Sequence, residues 1–213
     1  MKTDELVRLL ATHAAPVPRH AVARRFGMAL PLGIAGAMAL MLAAFGLRPD
    51  LATVMAQPLF WVRLAFAVTL SVGALLVLLR LVRPGRAVAG AWAAVATPVV
   101  ALWAAAIAVL LWLPPESRLP ELLGHTWRQC AASISLLSVP VLAALFWAVK
   151  GLAPTRLRLA GAATGVLGGA IATIAYCLHC PEMTVPFWAV WYVSGIAVPA
   201  LAGAALGPRL LRW

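Results

Sequence analysis

The sequence predicts an all-α polytopic membrane protein, a bundle of six transmembrane helices with both termini in the cytoplasm. Three observations carry that expectation. First, 64% of the 213 residues are hydrophobic and only 11% are charged, against about 45–50% and about 25% in an ordinary soluble domain. Second, the apolar residues gather into six continuous runs, each near the roughly 20 residues that cross a bilayer core as a helix. The runs are unbroken rather than alternating, which favours helices over a barrel. Third, Lys and Arg sort by loop. With both termini inside, 13 of the 17 basic residues fall on the inner side, and only Arg48, Arg63, Arg118 and Arg128 fall on the outer. That is the bias of the positive-inside rule.

The net charge of +11 does not point to nucleic acid. The basic residues are scattered at the ends of runs rather than gathered on one face, and the aromatics lie inside apolar runs, so the charge reads as a topology signal. Met1-Lys2-Thr3-Asp4-Glu5 is polar, and the first apolar run ends without a small-residue cleavage motif. No signal peptide is expected.

Residues 1–25 form the predicted cytoplasmic N-terminal tail. Thr3 can cap a helix, Asp4 and Glu5 suit its positive end, and Leu6, Leu9 and Leu10 share one face until Pro16 and Pro18 stop it. A one-sided helix this short is marginal alone in water, so the leucine face calls for a partner. Residues 26–207 form the transmembrane domain, with runs at about 26–47, 59–79, 88–113, 130–149, 159–178 and 187–206. Residues 208–213 form a short cytoplasmic C-terminal tail.

Trp61, Trp112, Trp127, Trp188 and Trp191 fall near the outer boundary, as an aromatic belt does. Gly161, Gly165 and Gly169 repeat every four residues on the fifth run, and Gly203 and Gly207 do so on the sixth, a spacing that lets helices approach closely. Pro31, Pro98, Pro140 and Pro199 interrupt their runs as potential kinks.

The middles of the runs carry no ionisable residue, where proton relays and most transporters place one. Arg63 and Arg80 lie within a turn or two of the run ends, where a long side chain can snorkel to the headgroups. There is no phosphate loop, no Gly-x-Ser-x-Gly and no His-Glu-x-x-His, so an enzyme is not expected. A small membrane transporter or channel for a metal or solute, with a thiol entry site, remains the rival from another class. A disulfide relay through Cys177-x-x-Cys180 is a weaker one, lacking a second Cys-x-x-Cys pair.

The reactive chemistry sits in Tyr176-Cys177-Leu178-His179-Cys180-Pro181-Glu182. The fourth run starts outside with Cys130, and the fifth ends outside with Cys177 and Cys180. All three thiols lie near one level, on the face that in a bacterial cell meets an oxidising compartment. A bridge needs Cα atoms roughly 4.4–6.8 Å apart, which adjacent helix ends can supply for Cys130 with Cys180. Cys177 lies about 4.5 Å deeper, and a Cys177–Cys180 bond would span a single turn. The same atoms offer a soft metal ion thiolate and imidazole ligands from Cys130, Cys177, Cys180 and His179, with His125 nearby.

Several segments together resemble one family. Met1-Lys2-Thr3-Asp4-Glu5-Leu6 with Ala15-Pro16-Val17, Leu47-Arg48-Pro49-Asp50-Leu51 with Pro58-Leu59-Phe60-Trp61, Leu178-His179-Cys180-Pro181-Glu182 with Trp191-Tyr192, and the ending Gly207-Pro208-Arg209-Leu210-Leu211-Arg212-Trp213 look like the negative regulator of sigma F family. These are six-span anti-sigma factors of the bacterial inner membrane, and the likeness covers nearly the whole chain. Cys130 and Cys180 stand where the family has its two cysteines, while Cys177 stands where a small residue is expected. The resemblance implies that the tail holds an extracytoplasmic-function sigma factor at the membrane, and Asp4, Leu6, Leu9 and Leu10 are the best-placed contacts on its helical face. It also implies release when the sensor thiols Cys130 and Cys180, with Cys177 and His179 as further candidates, meet metal or oxidative stress.

Overall fold

The computed structural model describes residues 3–12, 20–83 and 85–212, and of Leu6, Leu9 and Leu10 the backbone only. Among the described residues the chain is helical, without a strand. Helix α1 (Thr3–Thr12) opens the chain with Asp4 and Glu5 in its first turn, and every described side chain on it is exposed. The expected leucine face lies outside the described side chains.

Six helices are long and apolar enough to cross a membrane. They are α2 (Ala21–Ala44), α4 (Pro58–Leu81), α5 (Ala89–Trp112), α7 (Trp127–Lys150), α8 (Leu157–Tyr176) and α10 (Val193–Leu210). Short helices α3 (Leu51–Met55), α6 (Pro115–Leu123) and α9 (Val185–Phe187) lie in the connections, and a π-helical stretch at Trp188–Tyr192 joins α9 to α10. Every second connection ends at the same face of the bundle. One end therefore carries Cys130, Cys177 and Cys180, and the other carries Arg25, Arg80, Lys150, Arg156 and Arg209.

Helix α8 is the axis. It packs on α10, α4, α7 and α2, and 78% of its apolar window is buried, against 11% for α5 on the rim. Its sequence explains the position. Gly161, Gly165 and Gly169 leave no side chain between α8 and α10, and a Cβ on Gly161 or Gly165 would strike the Gly203 or Pro199 carbonyl. Backbones this close gain dispersion and Cα–H···O contacts, which drive association where lipid offers no hydrophobic gain. Gly73 serves α4 in the same way against Ala94 of α5. The exposed apolar side chains Leu32, Val100, Leu111 and Leu201 form the outer surface expected to face lipid.

Helix α2 begins at Ala21, within the stretch expected as tail. Arg25 is helical and folds back on α7, donating to the Trp147 carbonyl at 3.2 Å and lying 5.4 Å from the Trp147 ring centre. Arg63 does not snorkel: it is fully buried, because carbonyls inside the bundle receive its guanidinium in place of water. Trp188, assigned to the belt, is also buried, whereas Trp61 and Trp112 are exposed.

Candidate functional site

The thiol-bearing end is built where α8 stops. Beyond Tyr176 the chain turns tightly, the Cys177 N–H reaching the Thr173 carbonyl at 2.9 Å and the Cys180 N–H the Tyr176 carbonyl at 2.9 Å. Residues Cys180–Thr184 then run without regular structure to α9. The last carbonyls of a helix have no intrahelical partner and carry the negative end of its dipole. Here the partner is Arg63, from the second turn of α4. Its Nη2 donates to the Cys177 carbonyl at 2.7 Å, and its Nη1 donates to the carbonyls of Cys180 at 3.1 Å and Glu182 at 3.0 Å.

Arg63 is enclosed by aromatic groups as well. Its guanidinium carbon lies 5.4 Å from the Phe60 ring centre and 5.9 Å from that of Trp188, and the Tyr192 hydroxyl is 3.5 Å from Nη1. Among the described residues no carboxylate pairs with it, and its Nε has no acceptor. A buried charge is tolerated only when such partners replace its hydration, and losing them costs several kcal/mol.

A second arginine fixes the same turn from outside. Arg48 forms a double contact with Asp50, both distances 2.7 Å, and its Nη1 donates to the Cys180 carbonyl at 3.0 Å. The Arg48 guanidinium holds the Asp50 carboxyl below the usual carboxylate range. The Arg48 N–H also reaches the Leu178 carbonyl at 3.3 Å.

Glu182 secures the other flank. Its Oε1 accepts from the His125 N–H at 2.7 Å, the Thr126 N–H at 3.1 Å and the Thr126 hydroxyl at 3.3 Å. These groups open α7, so a carboxylate from 56 residues downstream satisfies donors that a local cap would otherwise take. Trp188 Nε1 donates to the Glu182 carbonyl at 3.1 Å, and Trp191 Nε1 to the Leu122 carbonyl at 3.0 Å.

Within this frame Cys130, Cys177 and Cys180 are buried and free. Cys130, in the first turn of α7, has the Cys180 thiol and the Tyr176 hydroxyl as neighbours. Cys177 and Cys180 both have Tyr192 as a neighbour, and Cys177 acts on Cys130 only through its charge. The structure thus brings Cys130 and Cys180 together and sets Cys177 to one side. The Cys130 thiol, followed by the Tyr192 hydroxyl, the Glu182 N–H and the Arg63 charge, holds the Cys180 thiol below its ordinary range against the opposing effect of burial. The pair can form a disulfide or bridge a two-coordinate soft ion.

His179 is directed elsewhere. Its Nδ1 lies 3.1 Å from the Gly46 carbonyl, which requires the proton on that nitrogen, and its ring packs between Phe45 and Tyr176. His125 is almost fully exposed. Among the described residues no group of three or more His, Cys, Asp or Glu side chains is gathered as a metal site, so the four proposed donors do not present a closed ligand set. Asp4 stands exposed on α1, and the Leu6, Leu9 and Leu10 side chains lie outside the described residues.

Sequence reasoning passed over Arg63, Glu182 and Tyr192 as site residues. One signal for Arg63 was present. It shares a helical stripe with Phe60, Ala67, Leu70 and Ala74, all of them buried. Glu182 and Tyr192 carried no periodic signal at all.

The family model described as negative regulator of sigma F matches residues 10–213. The chain is 44% identical over 213 residues to the probable anti-sigma-F factor NrsF of Azospira oryzae, covering 100% of both chains. It is 37% identical over 214 residues to the anti-sigma-F factor NrsF of Caulobacter vibrioides, again covering 100% of both. No solved structure matches the chain.

Proposed function

The chain belongs to the negative regulator of sigma F family, and from that premise we propose a thiol-gated anti-sigma factor of the bacterial inner membrane. Family membership makes it a regulatory protein rather than an enzyme, with a sigma factor as its partner. In the finer reading, the N-terminal tail lies in the cytoplasm and captures an extracytoplasmic-function sigma factor. Asp4, Leu6, Leu9 and Leu10 form the contact, the leucines filling a groove as an amphipathic helix does. The thiols face the periplasm, and oxidation or a bridging soft metal ion at Cys130 and Cys180 releases the sigma factor.

The observation that supports this reading is the pairing of the Cys130 and Cys180 thiols, unbridged, on two different packed elements. A disulfide draws two sulfurs to about 2.05 Å, so closing it must shift α7 against the end of α8. Helix α7 also holds α2, through Trp147 and Arg25, and α2 follows the tail. A shift of α7 therefore has a physical route to the opposite end. To empty the sigma factor from the tail, the two thiol states must differ in coupling by a few kcal/mol.

Two measurements test the scheme. Replacing Cys130 and Cys180 with Ser is expected to leave sigma-dependent transcription flat under oxidant or soft-metal stress, and an induction curve like that of the wild type removes these thiols as the switch. Leu6→Asp with Leu9→Asp is expected to lower co-purification of the sigma factor more than about tenfold, since two buried anchors are lost. Undiminished capture removes the tail from the scheme.

A further inference from the structure

Arg63 is the charged group that the thiol switch leaves without a role. Its three carbonyl partners, on Cys177, Cys180 and Glu182, all belong to the segment that carries two of the three thiols. The Glu182 carboxylate, which could have neutralised it, is directed to the start of α7 instead. Arg48 reaches the carbonyl of Cys180; among the described residues, Arg63 is the side chain that grips both Cys177 and Cys180.

We propose that Arg63 determines which cysteine pairs with Cys130: by wrapping the Cys177–Glu182 segment around a fixed guanidinium, it presents Cys180 and withholds Cys177. The inference rests on the thiol-pair reading above. Residues three apart fall on one face of a helix, one turn from each other. If α8 continued unbroken through residue 180, Cys177 and Cys180 would offer themselves to α7 side by side, and a small slide would exchange them. The turn at the end of α8 breaks that equivalence. Arg63 holds the turn from both ends, its two terminal nitrogens bound at once to the carbonyls of Cys177 and Cys180. The planar fork suits the task, because it fixes several acceptors in one geometry where an ammonium group cannot. A buried polar group retained to choose between packings in this way has precedent in other folds.

The test uses the full-length protein in membrane vesicles and a membrane-permeant azodicarboxamide oxidant. Two thiols give two protons and two electrons to its N=N bond, so one S–S bond forms and the oxidant becomes a hydrazine. Remaining thiols are then alkylated and the bridges mapped by peptide mass spectrometry. The wild type is expected to give the Cys130–Cys180 bridge with Cys177 alkylated. In Arg63→Gln the ratio of Cys130–Cys177 to Cys130–Cys180 is expected to rise by about tenfold, the effect of losing one ordinary charge-assisted contact. Arg63→Lys should fall between the two.

A variant that keeps Arg63 guards against misfolding. Cys180→Ala should form almost no bridge, because Cys177 stays withheld, and adding Arg63→Lys to it should restore a Cys130–Cys177 bond. A wild-type bridge map in Arg63→Gln overturns the proposal. So does ready Cys130–Cys177 bridging in Cys180→Ala. The map is read without any transcription assay, so failure here is distinct from failure of the thiol switch.

Discussion

Gly165→Leu is expected to keep the bundle from assembling, at a cost above about 4 kcal/mol, the range reserved for severe core lesions. A Cβ at this position would meet the Pro199 carbonyl and the Ala200 Cα of α10. Those atoms are backbone, so no rotamer change relieves the clash, and α8 and α10 must separate. The neighbours leave no alternative, since Gly161 and Gly203 each lie against the other's carbonyl. Separation would strip α8 of its largest interface and move Tyr192 away from the thiols. The measurements are the thermal midpoint and the size-exclusion profile of the detergent-solubilised protein. Gly27→Leu is the matched control, because nothing lies within 4 Å of a Cβ built there, and it should behave as the wild type. A monodisperse Gly165→Leu protein with an unchanged midpoint would show that the interface does not hold the bundle.

The glycines at four-residue spacing on two apolar runs signalled close helix approach in the sequence, but not that the two runs pack on each other. The six spans were legible because hydropathy integrates over about 20 residues, and local errors average out. What failed depended on single side chains. Arg24 and Arg25 read as tail, yet both lie in α2, and only the fold shows that Arg25 turns back to Trp147. Helix α3 is too short, and α6 too short and too polar, to register. Depth along the helices brought Cys130 to the level of Cys180, which the structure sets side by side, but depth says nothing of what surrounds them. A rule based on position sent Arg63 to the headgroups. The carbonyls that hold it inside lie 114–119 residues away in sequence, beyond any local pattern. The π-helical stretch at Trp188–Tyr192 also left no mark in composition, although such stretches gather at functional sites.

Glu182 closes the thiol-bearing stretch, and it carries the second large prediction. It is 7% exposed, and one carboxylate oxygen serves two backbone N–H groups and a hydroxyl at the start of α7. Glu182→Ala strands those donors in a half-buried site, at about 1–3 kcal/mol for each buried group left unsatisfied. It also removes a negative charge from a helix N-terminus, where a partly buried anion contributes up to about 2 kcal/mol. Water entering the gap recovers part of this, so the expected loss is about 2–4 kcal/mol. Glu182→Gln keeps an acceptor and loses the charge, so it should cost roughly half as much. Both appear as lowered thermal midpoints in detergent. The second consequence is local, because Glu182 ties the segment holding Cys180 to the helix holding Cys130. With the tie cut, the oxidant-driven Cys130–Cys180 bond should form more slowly at a temperature where the variant is still folded. A Glu182→Ala protein with the wild-type midpoint and bridging rate would mean that the carboxylate is incidental and that α7 finds its register from the apolar packing of Ile134, Leu137 and Val141 alone.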